Sequence, residues 1–208
     1  MGEGILWVTA GTSLALGLFV FTRNRRNPMN RAWLRLCIAT VVWLLAAGIL
    51  RHRPSAPWDL ISARIGQTGL SLIPLFFLQF IFGLLDLQSR YALLLRWQER
   101  LAGLFAFLSL TPLILSGVRS EPSLRMYPVA GPFYGLFVLW FFSLFLVCLW
   151  ILLREHRSRV GYQRNQLRYV ILASVFGLVS FLSMIPLALR IPVPTAGEGL
   201  LIFYALIA

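Results

Sequence analysis

The sequence predicts an all-α integral membrane protein, a seven-helix transmembrane bundle with its N-terminus outside and its C-terminus in the cytoplasm. Three observations predict it. Only 12% of the 208 residues are charged against 59% hydrophobic, and mean hydropathy is +0.79; a soluble domain carries roughly 25% charged residues. The apolar residues gather in runs of the length a membrane helix needs, roughly 17–25 residues. The 19 basic residues, all arginine, sit between those runs and divide unevenly between alternate loops.

The first run, Gly4–Thr22, follows Glu3 and precedes Arg23, Arg25 and Arg26. A cleaved signal peptide has its positive charge before the apolar run and a small-residue site after it, so this run reads as a retained helix. Further runs are Arg31–Leu50, Thr68–Asp86, Arg100–Gly117, Phe133–Leu153 and Arg168–Leu189. The seventh covers 196–208, opened by the capping box Thr195-Ala196-Gly197-Glu198. Its ~20 Å, at ~1.5 Å per residue, falls short of a ~30 Å hydrocarbon core. The helical domain is thus expected to fill 1–208 and the chain to continue after Ala208. Between the second and third runs, "SAPWDLISARIG" reads as an interfacial helix laying Trp58, Leu60, Ile61 and Ile65 on lipid.

Arginine placement sets the orientation. One set of alternate loops and helix ends holds Arg23, Arg25, Arg26, Arg31, Arg35, Arg90, Arg96, Arg100, Arg154, Arg157, Arg159, Arg164 and Arg168, 13 of the 19. The other holds Arg51, Arg53, Arg64, Arg119, Arg125 and Arg190. The positive-inside rule makes the first set cytoplasmic. Of these, Arg25, Arg26, Arg157, Arg159, Arg164 and Arg168 are the expected membrane-surface residues. Trp33, Trp97, Trp150 and Tyr169 then mark the inner interface, and Trp7, Trp58 and Tyr134 the outer. The net charge of +12 does not indicate nucleic acid, because the arginines lie between apolar runs and not on one amphipathic face.

Several chemistries are excluded by inventory. No His/Cys/Asp/Glu group has metal-ligand spacing, and there is no phosphate-binding glycine loop. No catalytic residue, metal ligand or cofactor site is predicted. Cys37 and Cys148, both toward the cytoplasmic ends of their helices, read as small buried side chains and not as a disulfide. His52 and His156 read as loop histidines. A retinal Schiff base needs a lysine, and none is present. Ion pumps carry ionisable groups at mid-membrane; here the deepest candidates are Arg35 and Asp86, near the inner interface. A helix continuing past Asp86 would pair it with Arg90. Ser13-x-x-x-Gly17 and Ala173-x-x-x-Gly177 read as close helix contacts.

What remains is a candidate pocket for a small, largely apolar ligand. Trp43 and Trp140 supply walls, Ser143 a donor and acceptor, and Gln79 and Thr111 further polar anchors. Pro74, Pro112 and Pro186 are expected to kink helices three, four and six in their outer halves and to splay them outward.

The stretch "GPFYGLFVLWFFSLFLVCLWILLREHRSRVGYQRNQLRYVILASVFGLVSFLSMIPLALRIPVP" has a Gly-Pro-aromatic start to helix five. An Arg-x-Gln-Leu-Arg-Tyr entry to helix six follows, then a proline in its outer part and an Ile-Pro outer loop. With "IGQTGLSLIPLFFLQFIF" in helix three, it resembles the N-terminal seven-transmembrane region of histidine kinases. The resemblance implies a membrane sensor module of the bacterial inner membrane, ahead of cytoplasmic PAS and histidine kinase domains. It implies a two-component system, a signal relayed through helix seven and dimerisation through the downstream domains. The expected partners are membrane lipids and a small apolar ligand. Two alternatives fit the same pattern: a non-catalytic scaffold subunit of a membrane complex, and a transporter or channel subunit.

Overall fold

The computed structural model describes residues 2–52, 56–121, 125–159 and 161–188. The described residues form helices α1 (Gly2–Arg23), α2 (Pro28–His52), α3 (Ala56–Leu85), α4 (Ala92–Ser109), α5 (Tyr134–Ser158) and α6 (Tyr162–Ala188). A hairpin of β1 (Leu115–Glu121) and β2 (Arg125–Ala130) separates α4 from α5. The expected seventh helix and its capping box lie outside the described residues. The chain divides into two compact units, Met1–Phe141 and Phe142–Ala208.

In the first unit, α1 to α4 run up and down in chain order, with the most extensive contact between α2 and α3. The turn from α1 to α2 follows from "RNRRNPMN". The Oδ1 of Asn27 accepts the Met29 N–H at 2.8 Å, and Pro28 takes the first helical position, where an N–H would go unused. Asn30 Nδ2 donates to the carbonyls of Val20 (2.9 Å) and Asn24 (3.2 Å), tying the end of α1 to the start of α2. Lipid removes the hydrophobic drive between helices, so close packing of small residues takes its place. A Cβ on Gly66 would lie 2.6 Å from the Ala46 Cβ, and one on Gly69 would lie 2.9 Å from the Ala39 carbonyl oxygen. The close contact expected at Gly17 is present: a Cβ there would lie 2.8 Å from the Cys37 Cβ. Leu78, Ile81 and Phe82 of α3 are fully buried.

The second unit holds the rest of α5 and α6, joined through Gly161 at φ +64°. α5 buries Leu144, Phe145, Cys148 and Leu152 and exposes Leu146, Val147, Trp150 and Leu153. Leu14, Leu18, Phe19, Ile38, Ile49 and Phe107 are likewise exposed on the first unit. Water does not tolerate so much apolar surface, whereas lipid requires it. Four described helices are long and apolar enough to cross a membrane: Leu6–Arg23, Pro28–Leu50, Trp58–Leu85 and Tyr134–Ser158. The protein is a membrane protein.

Several expectations are corrected. The third helix begins at Ala56 and not Thr68, so "SAPWDLISARIG" is no separate interfacial helix; all but its first residue runs straight into the 30-residue α3. Trp58, Ile61 and Ile65 are nonetheless exposed. The fourth helix spans 92–109 and not 100–117. It starts early because Arg96, Glu99 and Arg100 sit on one helical stretch that a search for apolar runs breaks. It stops early because Pro112 would clash with the carbonyl four residues back. The Leu110 and Thr111 N–H groups bond instead three residues back, to Phe107 and Leu108. Pro112 therefore lies in the turn after α4 and bends no helix, and the hairpin makes the chain predominantly, not wholly, helical. α3 also ends at Leu85, with Asp86 in the left-handed region at φ 57°. The conditional Asp86–Arg90 pair thus lapses, and the Arg90 guanidinium lies 5.5 Å from the Tyr91 ring centroid.

Candidate functional site

One stripe of α3 carries the most unusual chemistry. Asp59, Ala63, Gln67 and Ser71 follow at four-residue spacing and are all buried. Asp59 is 0% exposed, and neither carboxylate oxygen has a hydrogen-bond partner. Gln67 Nε2 and the Nε of Arg64 are also buried without partners. Among the described residues five buried side-chain atoms lack a partner, and four of them fall between Asp59 and Gln67; the fifth is Trp33 Nε1. A buried polar group left unpaired costs about 1–3 kcal/mol, so such a cluster needs a reason. The cluster offers two acceptor oxygens and N–H donors. The acceptors sit at Asp59, and the donors one to two turns further along the same helix, at Arg64 and Gln67.

One turn further on, the polar groups are satisfied. Ser71 Oγ reaches the Gln67 carbonyl at 2.9 Å, Ser109 Oγ reaches that of Phe105 at 2.7 Å, and the two hydroxyls lie 3.1 Å apart. Two hydroxyl protons serve three contacts, so one contact is always without its proton. Thr68 Oγ1 reaches its own helix at Arg64 (2.9 Å) and the Ala106 carbonyl of α4 (3.3 Å). These bonds fix α4 against α3. From there the chain continues to the hairpin, which contacts α3 and α2.

At the other end of α3, Gln79 bridges two helices. Its Oε1 lies 3.5 Å from Arg35 Nη1 of α2, and its Nε2 donates to Glu99 Oε1 of α4 at 2.9 Å. A turn of α4 away from its start, Gln98 Oε1 accepts the Trp140 indole N–H at 3.0 Å, and Trp140 stacks on Phe105 with centroids 4.8 Å apart. Polar contacts thus run from α2 through α3 to α4, and from α4 to the start of α5.

The residues expected to line a pocket have their own surroundings. Trp43 packs against the α1–α2 cluster of Leu6, Ala10 and Leu44, whereas Trp140 faces α4. Thr111 donates to the Leu108 carbonyl at 2.7 Å and accepts the Leu113 N–H at 3.3 Å, shaping the turn after α4. Ser143 is on α5 in the second unit, exposed. Pro74 is buried inside α3, and Pro186 lies within α6. Arg25, Arg26, Arg157, Arg164 and Arg168 are exposed, and Arg159 pairs with Glu155 at 3.5 Å. Sequence reasoning missed Asp59, Gln98 and Glu99. It found no buried charge because Asp59 was assigned to an interfacial helix; the four-residue spacing to Gln67 and Ser71 was the available signal.

Among described residues no group of His, Cys, Asp and Glu could hold a metal. Cys37 and Cys148 are both free and buried. The family model for the N-terminal 7TM region of histidine kinase matches residues 5–207. The chain belongs to this family. None of the curated proteins matches it.

As a histidine kinase N-terminal region, the chain is a sensor input domain. The stretches that carry the resemblance have physical roles here. In "GPFYG", a Cβ on Gly131 would lie 2.5 Å from the carbonyl oxygens of Pro112 and Leu113, so only glycine lets β2 turn into α5 at that place. In "IGQTGLSL", Gly66 and Gly69 bring α2 close, and Gln67, Thr68 and Ser71 supply the polar face between and beyond them.

Proposed function

We propose that this histidine kinase 7TM region detects a small or membrane-borne signal inside its own helix bundle, at the Asp59–Gln67 cluster. The kinase that reads it is the output of a two-component system in the bacterial inner membrane. The single observation that carries the reading is the concentration of unpaired buried polar atoms in three turns of one helix. A ligand shifts an equilibrium only by its difference in affinity between two arrangements, and groups left unpaired in one arrangement are where such a difference arises. The Ser71–Ser109 contact and the Gln79 bridge link α3 to α4, and Trp140 links α4 to α5. The signal leaves through the seventh helix toward the kinase.

The test is phosphorylation of the full-length protein in native membranes, for wild type, Asp59→Asn and Gln67→Leu. Both variants are expected to insert normally and to shift basal phosphorylation severalfold, as they bias the equilibrium without a signal. Normal insertion with unchanged phosphorylation would overturn the reading.

A further inference from the structure

The end of α5 carries a second feature, separate from the α3 cluster. Trp150, Leu153, Arg154, Arg157 and Ser158 surround a groove of about 450 Å³. Their spacing of three and four residues puts all five on one face of the helix.

Charge and order along the helix define what fits. Glu155, the nearest acid, is engaged by Arg159 at 3.5 Å, and the Ser158 hydroxyl donates to the Glu155 carbonyl at 3.0 Å. Among the described residues Arg154 and Arg157 have no anionic partner. The Arg154 guanidinium lies 5.6 Å from the Trp150 ring centroid, which holds it beside the groove. α5 has 25 residues, about 37 Å at ~1.5 Å each, so its last turns extend past a ~30 Å core. The groove therefore begins with an indole and a leucine at the level of the membrane boundary and ends with two arginines beyond it. That sequence, apolar then cationic, is the mirror of an amphiphile with a negative head.

We propose that this face of α5 binds the phosphate headgroup of an anionic phospholipid. Arg154 and Arg157 hold the phosphate oxygens, since guanidinium forks match them with paired N–H bonds. Trp150 and Leu153 lie along the glycerol and the first carbons of the acyl chains. The site fixes the inner end of α5 to one class of lipid, so membrane composition becomes an input to the same helix that leads into α6. A free phosphate ion satisfies the arginines equally but leaves Trp150 and Leu153 without a partner.

The experiment is native mass spectrometry of the full chain from detergent, with added phosphatidylglycerol, phosphatidylcholine or inorganic phosphate. Wild type is expected to retain one phosphatidylglycerol in preference to phosphatidylcholine. The Arg154→Gln/Arg157→Gln double variant should weaken that retention roughly tenfold or more. Trp150→Leu should weaken it less. Arg25→Gln/Arg26→Gln, with the same loss of charge in the exposed turn between α1 and α2, should leave it unchanged. An equal loss in the Arg25/Arg26 control would show diffuse attraction and overturn the site. Equal retention of phosphatidylcholine would do the same. Displacement of the lipid by an equal concentration of inorganic phosphate would reassign the groove to the free ion. Unfolding temperatures of the variants separate lost binding from lost structure.

Discussion

Asp59 is the residue on which the stability of the bundle and its function pull apart. A fully buried carboxylate with two unmet oxygens contributes nothing to folding that an amide of the same shape would not contribute. It costs about 1–3 kcal/mol while it stays unpaired. Residues that break a local rule without compensation concentrate at functional sites. The amide of an asparagine would be unpaired too but neutral, and burying a neutral group costs less than burying an ionised one, so Asp59→Asn is expected to raise the thermal midpoint of the purified chain, at roughly 2–4 °C per kcal/mol for this chain length. A scan in detergent measures it. A lower midpoint in Asp59→Asn would show that the carboxylate is paired in the folded protein. Gln79 stands in contrast: both ends of its amide are used, by Arg35 and Glu99, so its role is to hold three helices together.

Among the elements, α2 and α3 form the tightest seam, and two glycines make it for different reasons. At Gly66 the neighbour is a side chain, the Ala46 Cβ at 2.6 Å from the position of an added Cβ. At Gly69 it is backbone, the Ala39 oxygen at 2.9 Å. Overpacking costs typically about 1–3 kcal/mol, so both Gly66→Ala and Gly69→Ala should destabilise. The second change tells them apart. Ala46→Gly should restore most of what Gly66→Ala loses, whereas Ala39→Gly should not restore Gly69→Ala, because the obstructing oxygen remains. Thermal midpoints of the four single and two double variants decide it. Part of this framework was legible beforehand: apolar runs begin and end within three residues of α1 and α2, whereas α5 runs five residues past Leu153 and α6 begins six before Arg168, and Gly17 of the Ser13-x-x-x-Gly17 pair lies close to Cys37. The amphipathic first turns of α4 were not legible, because Arg96, Glu99 and Arg100 interrupt any purely apolar count. Nor was the hairpin, whose strands carry few β-branched residues and include Pro128. The α3 polar face stayed hidden for a related reason: Asp59 near a run of arginines reads as surface until the helix is seen to begin at Ala56.

For the whole molecule, orientation in the membrane turns on arginine. In the first unit, the contacts of Gly17 with Cys37, Gly83 with Met29 and Phe82 with Tyr91 bring together the end of α1, the start of α2, the end of α3 and the start of α4. That end carries Arg23, Arg25, Arg26, Arg31, Arg35, Arg90, Arg96 and Arg100. The opposite end has the hairpin. Moving arginine across a bilayer against the potential is unfavourable, and short arginine-rich loops stay on the cytoplasmic side. We therefore expect the arginine-rich end to be cytoplasmic and the hairpin to be outside. Cysteines introduced at Arg25 and at Arg159 test this in each unit separately. Cys37 and Cys148 are free but buried, so they give little background. In intact cells both introduced thiols should resist a membrane-impermeant reagent, and both should react once the membrane is permeabilised. Ready labelling of both in intact cells would invert the topology, putting the Asp59 cluster toward the cytoplasm, where it would meet solutes of the cell interior and not those from outside.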